Sequence, residues 1–453
     1  MKKASLFLSL SIFSITAFSQ NFPGISSGNY SGVNGAFTNP ANIANNKYSW
    51  NLNLLSLHAG VVNNNASFSL KDIGSSFDDA DSVFFGNSAK STSGAISTDI
   101  HGPSLMISGK KNSFAFTTRL RVMANIVDMD GQFIQSISND LSSSTTFPFA
   151  LKSNQNQKFI LNGWTDWGVT YGRVLSDKGN HLFKAGITVK YLAGATNSYI
   201  NIDNLKGTLD DDITGDVYLT NATGRVAMGV GGIDLSDDDF DVADALKFKG
   251  HGIGADIGFV YEYKKGNSYK FKAGIALLDI GSIKYKTNTN QSGDYNINVP
   301  NGAHWYPSDL DDKSVSEIND YLDGSPYFTN NPGIKSEYKA SLPTTLRLDL
   351  DYAVTKKLFI ALGSNINLIQ EKSIYNSFYY STVALTPRFE GRRLGIYLPI
   401  SYNTLSKFNA GVSLKLGPLF IGSGSVLTAL MDKSKQADFH FGFQFGGLRN
   451  KKN

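Results

Sequence analysis

Apolar and polar residues alternate along much of this chain with a period of two. In "ADFHFGFQFGG", Phe439, Phe441, Phe443 and Phe445 fall on one face of an extended strand, and Asp438, His440, Gly442 and Gln444 on the other. "TLRLDLDYAV" sets Leu346, Leu348, Leu350, Tyr352 and Val354 against Arg347, Asp349, Asp351 and Ala353. The same period separates Phe114, Phe116, Leu120 and Val122 from Arg119 and Arg121. It separates Phe183, Ile187, Val189 and Tyr191 from Lys184, Thr188 and Lys190, and Phe408, Val412, Leu414 and Leu416 from Asn409, Ser413 and Lys415. Leu394, Ile396, Leu398 and Ile400 continue the pattern.

A soluble β-sandwich alternates too. Here, however, one face carries charges and glycine while the other carries large aliphatic and aromatic side chains. The runs last about ten residues, the length a tilted strand needs to cross an apolar slab, whereas strands of soluble proteins average about five or six. The pattern therefore predicts an all-β fold: a transmembrane antiparallel up-and-down β-barrel of about fourteen strands over residues 47–446. The expected strands are 47–70, 103–110, 113–124, 161–175, 181–195, 252–264, 268–280, 343–355, 357–369, 380–390, 393–402, 407–416, 418–428 and 437–446. Long connections (72–102, 125–160, 196–251, 281–342) alternate with short turns such as 110–112, 263–266 and 355–356. Outer-membrane barrels show this asymmetry, with long extracellular loops, short periplasmic turns and both termini in the periplasm. The long connections are rich in acid, with Asp210, Asp211 and Asp212 and again Asp237, Asp238 and Asp239. They read as solvated loops without a core of their own. The acidic runs lack the glycine and distal glutamate of a dedicated calcium loop, so a solvated rim is expected and no metal site.

The first residues, "MKKASLFLSLSIFSITAFSQ", join two lysines, an apolar run and a small-x-small site before Gln20. That is a secretory signal peptide over residues 1–19. No other run approaches the eighteen or so apolar residues of a membrane helix. Composition agrees with an exported β-protein: 44 Gly, 30 Phe, 21 Tyr and no Cys among 453 residues. The formal charge is +4, two of it in Lys2 and Lys3, so no nucleic-acid footprint is expected.

Chemistry is sparse. Of six histidines, only His440 is expected to face the lumen within a strand, and no G-x-S-x-G accompanies it. Neither an enzyme nor a cofactor is expected. "GSGS" at 422–425 reads as close strand packing. The expected lumen-facing charges are Arg119, Arg121, Lys184, Lys190, Asp256, Lys272, Arg347, Asp349, Asp351, Arg388, Lys415 and Asp438. Both signs occur, so pairing across a filled lumen, against a plug, is expected over selection of one ion sign.

Between signal peptide and first strand lies "SGNYSGVNGAFTNPANIA", residues 27–44. It has neither helical nor strand periodicity. Asn and Ser offer hydrogen bonds to inward charges, Pro40 fixes a turn, and glycines allow close backbone approach. We expect residues 20–46 to be an N-terminal plug (hatch) in the lumen, with Gly32, Gly35, Asn39, Pro40 and Ala41 as its key positions.

"NGAFTNPANIA", through Asn39, Pro40 and Ala41, resembles the N-terminal "NPA" segment of the long-chain fatty-acid transporter (FadL-like) barrels. That resemblance implies a polar hatch filling a fourteen-stranded barrel. With "LPTTLRLDLDYAV", "PRFEGRRLGIYLPISYN" and "LKLGPLFIGSGS", nearly the whole mature chain also resembles an uncharacterised outer-membrane barrel family of Bacteroidota. The FadL-like resemblance implies location in the bacterial outer membrane, with lipid as partner, and passive uptake of a small hydrophobic ligand. The alternative it leaves open is a non-transporting accessory barrel with partner proteins in secretion or outer-membrane assembly. No inward apolar cluster that would line a ligand pocket is legible. Residues 447–453 read as a periplasmic tail.

Overall fold

The computed structural model describes residues 22–65, 67, 69, 91–131, 133, 146–152, 156–233, 248–266, 268–370, 373–431 and 434–449. The expected signal peptide, Asp237, Asp238, Asp239 and the last four residues of the tail lie outside these. Among the described residues, 14 wall strands close an antiparallel barrel. They are β1 (Tyr48–Asn63), β2 (Thr92–His101 and Ser104–Ser108), β3 (Asn112–Met129), β4 (Asn156–Lys178) and β5 (His181–Asp211). Next come β6 (Gly250–Lys265), β7 (Ser268–Lys286), β8 (Glu337–Ser341 and Thr345–Ala353), β9 (Leu358–Asn367) and β10 (Thr382–Glu390). The wall ends with β11 (Leu394–Tyr397 and Ile400–Asn403), β12 (Lys407–Ala410 and Val412–Leu416), β13 (Leu419–Ser423) and β14 (Gln436–Leu448). Closure is direct: β1 pairs antiparallel with β14, Leu55 opposite Phe443 and His58 opposite His440.

The two faces of the wall are inverted relative to a water-soluble protein. Outward side chains such as Phe114 (57% exposed), Val169 (60%) and Ile253 (72%) are greasy and uncovered, while inward Arg121 and Thr170 are at 0%. In water such an outer surface would be far beyond the apolar patch a soluble monomer tolerates; in lipid it is the required one. No described helix is long and apolar enough to cross a membrane.

Several strands run past their expected bounds, β3 to Met129 and β7 to Lys286 among them, and three elements differ more. β2 begins at Thr92, eleven residues before 103, and breaks at Gly102 and Pro103 because proline has no N–H to give the ladder. β13 stops at Ser423, and a short helix, Val426–Ala429, replaces the rest of the expected strand 418–428. The third is the largest. β5 runs past the wall to Asp211 and returns as the strand Val217–Gly232. With the strands Phe149–Lys152, Gly293–Val299 and Phe328–Asn330 and helix α1 (Val315–Gly324), this hairpin builds a crown over the long-loop end. Leu205, Leu209, Leu219, Tyr295, Trp305 and Leu322 are buried in it as a separate apolar core. The described parts of connections 196–251 and 281–342 are therefore not coreless loops. Asp210 and Asp294 sit on the outer face of strands whose inner face carries Leu209 and Tyr295, and bulk composition conceals that alternation. α1 is fixed at its start by a reciprocal Ser314–Glu317 capping box.

Candidate functional site: the filled lumen

Residues 22–46 run inside the wall as three short turns, Ile25–Ser27, Gly32–Phe37 and Pro40–Ile43. Side chains from most of the barrel reach them. The Glu390 carboxylate (β10) accepts from the Asn29 backbone N–H at 2.8 Å and side chain at 2.7 Å. Ser413 (β12) donates to the Pro23 carbonyl, and Gln444 (β14) to that of Tyr30. Asn51 Oδ1 (β1) accepts from Val33 N–H at 2.8 Å beside Gly32, whose φ of 59° suits glycine. The Gly35 carbonyl accepts from Thr38 and Asn42, tightening the next turn.

Asn39 is the hinge of this packing. Its Oδ1 accepts from Ala41 N–H at 2.9 Å, capping the Pro40–Ile43 turn, with Pro40 in the first position, where its missing N–H costs nothing. Its Nδ2 donates to two wall carbonyls, Phe259 and Ile275, both at 3.2 Å. Ala41 and Ile43 are fully buried. They lie flat on a row of glycines, Gly172 (β4), Gly186 (β5) and Gly258 (β6), which are mutual register partners. Cβ atoms there would stand 2.6 Å from Ile43, 2.3 Å from Pro40 and 2.2 Å from Asn39. Sequence reasoning missed this row, although each glycine sits at an inward position of an alternating strand.

The twelve charges named from the sequence point inward and are buried or half-buried. Toward the crown, Arg121 bonds Asp279 at 2.7 Å and Asp166 at 3.0 Å, Lys190 bonds Asp256 at 2.7 Å and Asp279 at 2.6 Å, and Arg119 clasps Asp99. Toward the short turns, Lys184 bonds Glu262 at 2.6 Å, and Arg388 bonds Asp351 at 2.6 Å and Glu390 at 3.1 Å. Tyr269 also donates to Asp351. Lys272 lies in register between Glu262 and Asp351. Arg347 pairs with Asp349, and Lys415 donates to the Gly417 carbonyl. Within the "GSGS" run Gly422 packs closely on the neighbouring strand, where a Cβ would stand 2.3 Å from Ser413 Oγ, while Asp438 gathers Ser423, Ser425 and the Gly424 N–H into a carboxylate-bound turn. Pairing runs chiefly between wall strands; the N-terminal segment contributes Phe37, stacked on His101 and under Arg119, and the Asn29–Glu390 contact.

Five acids completing these tiers were not named from the sequence: Asp99, Asp166, Asp279, Glu262 and Glu390. Asp166 was legible by parity. Asp99 was assigned to a loop. Asp279 is turned inward by a bulge between Leu277 and Ile280, where its φ is 57°. The histidines require a correction of the same kind. His58 and His101 face the lumen as well as His440, and all three rings surround Phe22, at 5.7, 4.8 and 5.9 Å. A bulge between Asn53 and Leu55 leaves Leu54 and Leu55 both outward and reverses the parity of the rest of β1.

Above the ion pairs the lumen is aromatic. Trp164, Tyr199, Tyr285, Tyr338, Met123 and Leu192 form an inward apolar cluster, which the sequence reading did not find. Residues 373–380, between β9 and β10, fold down into it. Tyr375 stacks on Tyr338 at 4.5 Å and meets Tyr199 edge-on at 5.0 Å. The backbone around it is held by Asn125 to Phe378 and by Asn162 and Asn197 to the Tyr375 carbonyl, and Asn162 also donates to the Ser377 hydroxyl.

Residues 40–424 match the profile of a family described as "Family of unknown function (DUF5723)". The chain belongs to that family. No curated protein matches. Among solved structures the chain is similar to a FadL homologue of Pseudomonas aeruginosa, at 11% identity over 95% of this chain and 97% of that one, with a TM-score of 0.42. It is also similar to the toluene transporter TbuX of Ralstonia pickettii, at 10% identity over 96% and 100% of the two chains, with a TM-score of 0.44. A third similarity is to the outer membrane protease OmpT of Escherichia coli, at 7% identity over 88% and 95%, with a TM-score of 0.24. The barrel assignment rests on the strand pairings themselves.

Proposed function

We propose that this chain is a bacterial outer-membrane barrel for passive uptake of small hydrophobic molecules, closed at rest by two of its own segments. The observation that carries the reading is the aromatic chamber occupied by Tyr375. Trp164, Tyr199, Tyr285 and Tyr338 line a cage that the chain fills with a ring on a loop held largely by three asparagine side chains. A planar or elongated apolar molecule arriving from outside would take over those ring contacts, and the loop would lose only contacts the ligand replaces.

Below the chamber, the segment 22–46 acts as the plug. Its bonds to the wall are mostly single hydrogen bonds to neutral groups, worth about 0.5–1.5 kcal/mol each and remade on return. The break in β2 supplies a sideways route. Asn53 donates to the carbonyls of His101 and Gly102 across it, and its Oδ1 accepts from Asn34 of the segment. Displacing the segment frees Asn53 and loosens the patch over the gap.

The experiment is entry of a small aromatic fluorophore into proteoliposomes. Tyr375→Ala should speed entry several-fold over the wild type while the barrel stays heat-modifiable. No entry in either form defeats uptake. The second reading, an accessory barrel in secretion or assembly, draws on the buried ion tiers and the crown's own core. It expects a sealed lumen and stoichiometric co-purification of a partner through the crown.

A further inference from the structure

A sector of the outer wall at the crown end is strongly cationic. On β6, β7 and β8, His251, Lys284 and Lys339 are successive register partners, so their side chains stand side by side on the outward face. Lys286 and Lys335 lie exposed just above them, and Glu337 is the acid among them, paired with Lys284 at 2.5 Å. The level is the end of the wall that carries the crown. Immediately below, the outward residues turn apolar, with Ile253 and Tyr191, and Tyr191 Oη reaches His251 Nδ1 at 2.9 Å. Trp167 stacks on Tyr191 and meets Phe248, completing an aromatic shelf of the kind found where a barrel leaves the hydrocarbon.

Like charges directly opposite on neighbouring strands are unfavourable, and Lys284 faces Lys339. Among the described residues, four lysines stand against one glutamate at this level, a net positive charge. The other side of the same rim is built differently: Leu368, Tyr402, Phe408 and Met431 carry the apolar surface to the top. The basic sector is thus not a general feature of the rim. Cations one step above an aromatic shelf face the depth at which the phosphates of an outer-leaflet glycolipid lie.

We propose that the outward face of β6–β8 binds the phosphates of a bis-phosphorylated glycolipid in the outer leaflet, with Lys284 and Lys339 as the clamp and Lys286 and Lys335 as supporting charges. The inference rests on the membrane-barrel reading. Its acyl chains would lie along Ile253, Ile257 and Phe259 below, and its sugar would meet Tyr191 and His251.

The test uses full-length protein in detergent and native mass spectrometry, offering bis-phosphorylated lipid A, its dephosphorylated form, and inorganic phosphate. The wild type should retain the phosphorylated lipid over the dephosphorylated one, and Lys284→Gln with Lys339→Gln should lower retention roughly thirtyfold. Lys284→Arg with Lys339→Arg should keep it, and Lys407→Gln, on the far side of the barrel, should change nothing. Equal retention of the two lipids, an unaffected Gln pair, or equally tight capture of inorganic phosphate overturns the proposal. Heat-modifiable migration of every variant reports the barrel separately. If it is absent in the wild type, the membrane reading fails; if it is present without lipid discrimination, the glycolipid site alone fails.

Discussion

The Cβ that Gly186 lacks would stand 2.3 Å from the Pro40 carbonyl carbon and 2.4 Å from Ala41 N. Both obstacles are backbone, so neither can swing away. Gly186→Ala should leave the extended β5 intact and push the Pro40–Ile43 turn off the wall, at about 1–3 kcal/mol for an overpacked contact. Limited proteolysis should then cut within residues 22–46 while the barrel stays heat-modifiable. Gly324→Ala, where a Cβ would meet nothing, is the control. Equal protection of the two variants would show that the segment does not lie on the glycine row.

Asn39 joins the turn to two strands with three hydrogen bonds. Asn39→Ala removes all three, leaving the two wall carbonyls with their ladder partners alone, at about 0.5–1.5 kcal/mol for each bond lost. Amide exchange in residues 40–44 should quicken by one to two orders of magnitude, with β6 and β7 changing far less. Asn39→Asp keeps the acceptor for Ala41 but loses the donor, and should give an intermediate rate.

The wall was legible because its physics is periodic. The alternation of Phe439 to Phe445 or Leu346 to Val354 identifies a strand with one greasy face whatever surrounds it, and the inward set from Arg119 to Asp438 follows by parity. Local breaks of that period escaped the reading. The bulge at Asn53 and Leu55 brought His58 inside, and the one before Ile280 turned Asp279 into the partner of both Arg121 and Lys190. The crown was hidden differently: Leu205, Leu209 and Leu219 pack under the acids that dominate the composition there. The aromatic chamber needed tertiary knowledge, since Trp164, Tyr285, Tyr338 and Tyr375 come from three separate strands and a loop.

Arg121 is fully buried and neutralises Asp166 and shares Asp279 with Lys190. Removing one partner of a buried pair leaves an uncompensated charge, at about 3–5 kcal/mol, more than the pair itself contributes. Arg121→Met should therefore lower the midpoint of thermal unfolding in detergent sharply. Adding Asp166→Asn removes the stranded carboxylate and should restore part of the loss. If the double variant is as unstable as the single one, the cost lies in packing against Trp164, over which the guanidinium sits at 4.5 Å, rather than in charge.

At the tip of the crown hairpin, the Asp212 carboxylate is hydrogen-bonded by the Thr214 hydroxyl at 2.6 Å, the Thr214 N–H at 2.9 Å, the Asp216 N–H at 3.0 Å and the Tyr306 hydroxyl at 3.2 Å. These donors, the Thr214 hydroxyl foremost, hold its pKa down to about 2. A carboxylate lowered on folding stabilises its turn fully above its unfolded value of about 3.9, and the contribution disappears as pH falls through the folded one. The turn should thus be unchanged from neutral pH to about 4 and loosen between there and 2. The Asp212 side-chain carbonyl resonance should titrate near 2, with the Thr214 and Asp216 amide shifts moving in parallel. Asp212→Asn keeps the side-chain oxygen but not the charge, and should abolish the pH dependence of those amides. A midpoint near 3.9 in the wild type would mean that the hydroxyl and amide donors do not hold the carboxylate in solution.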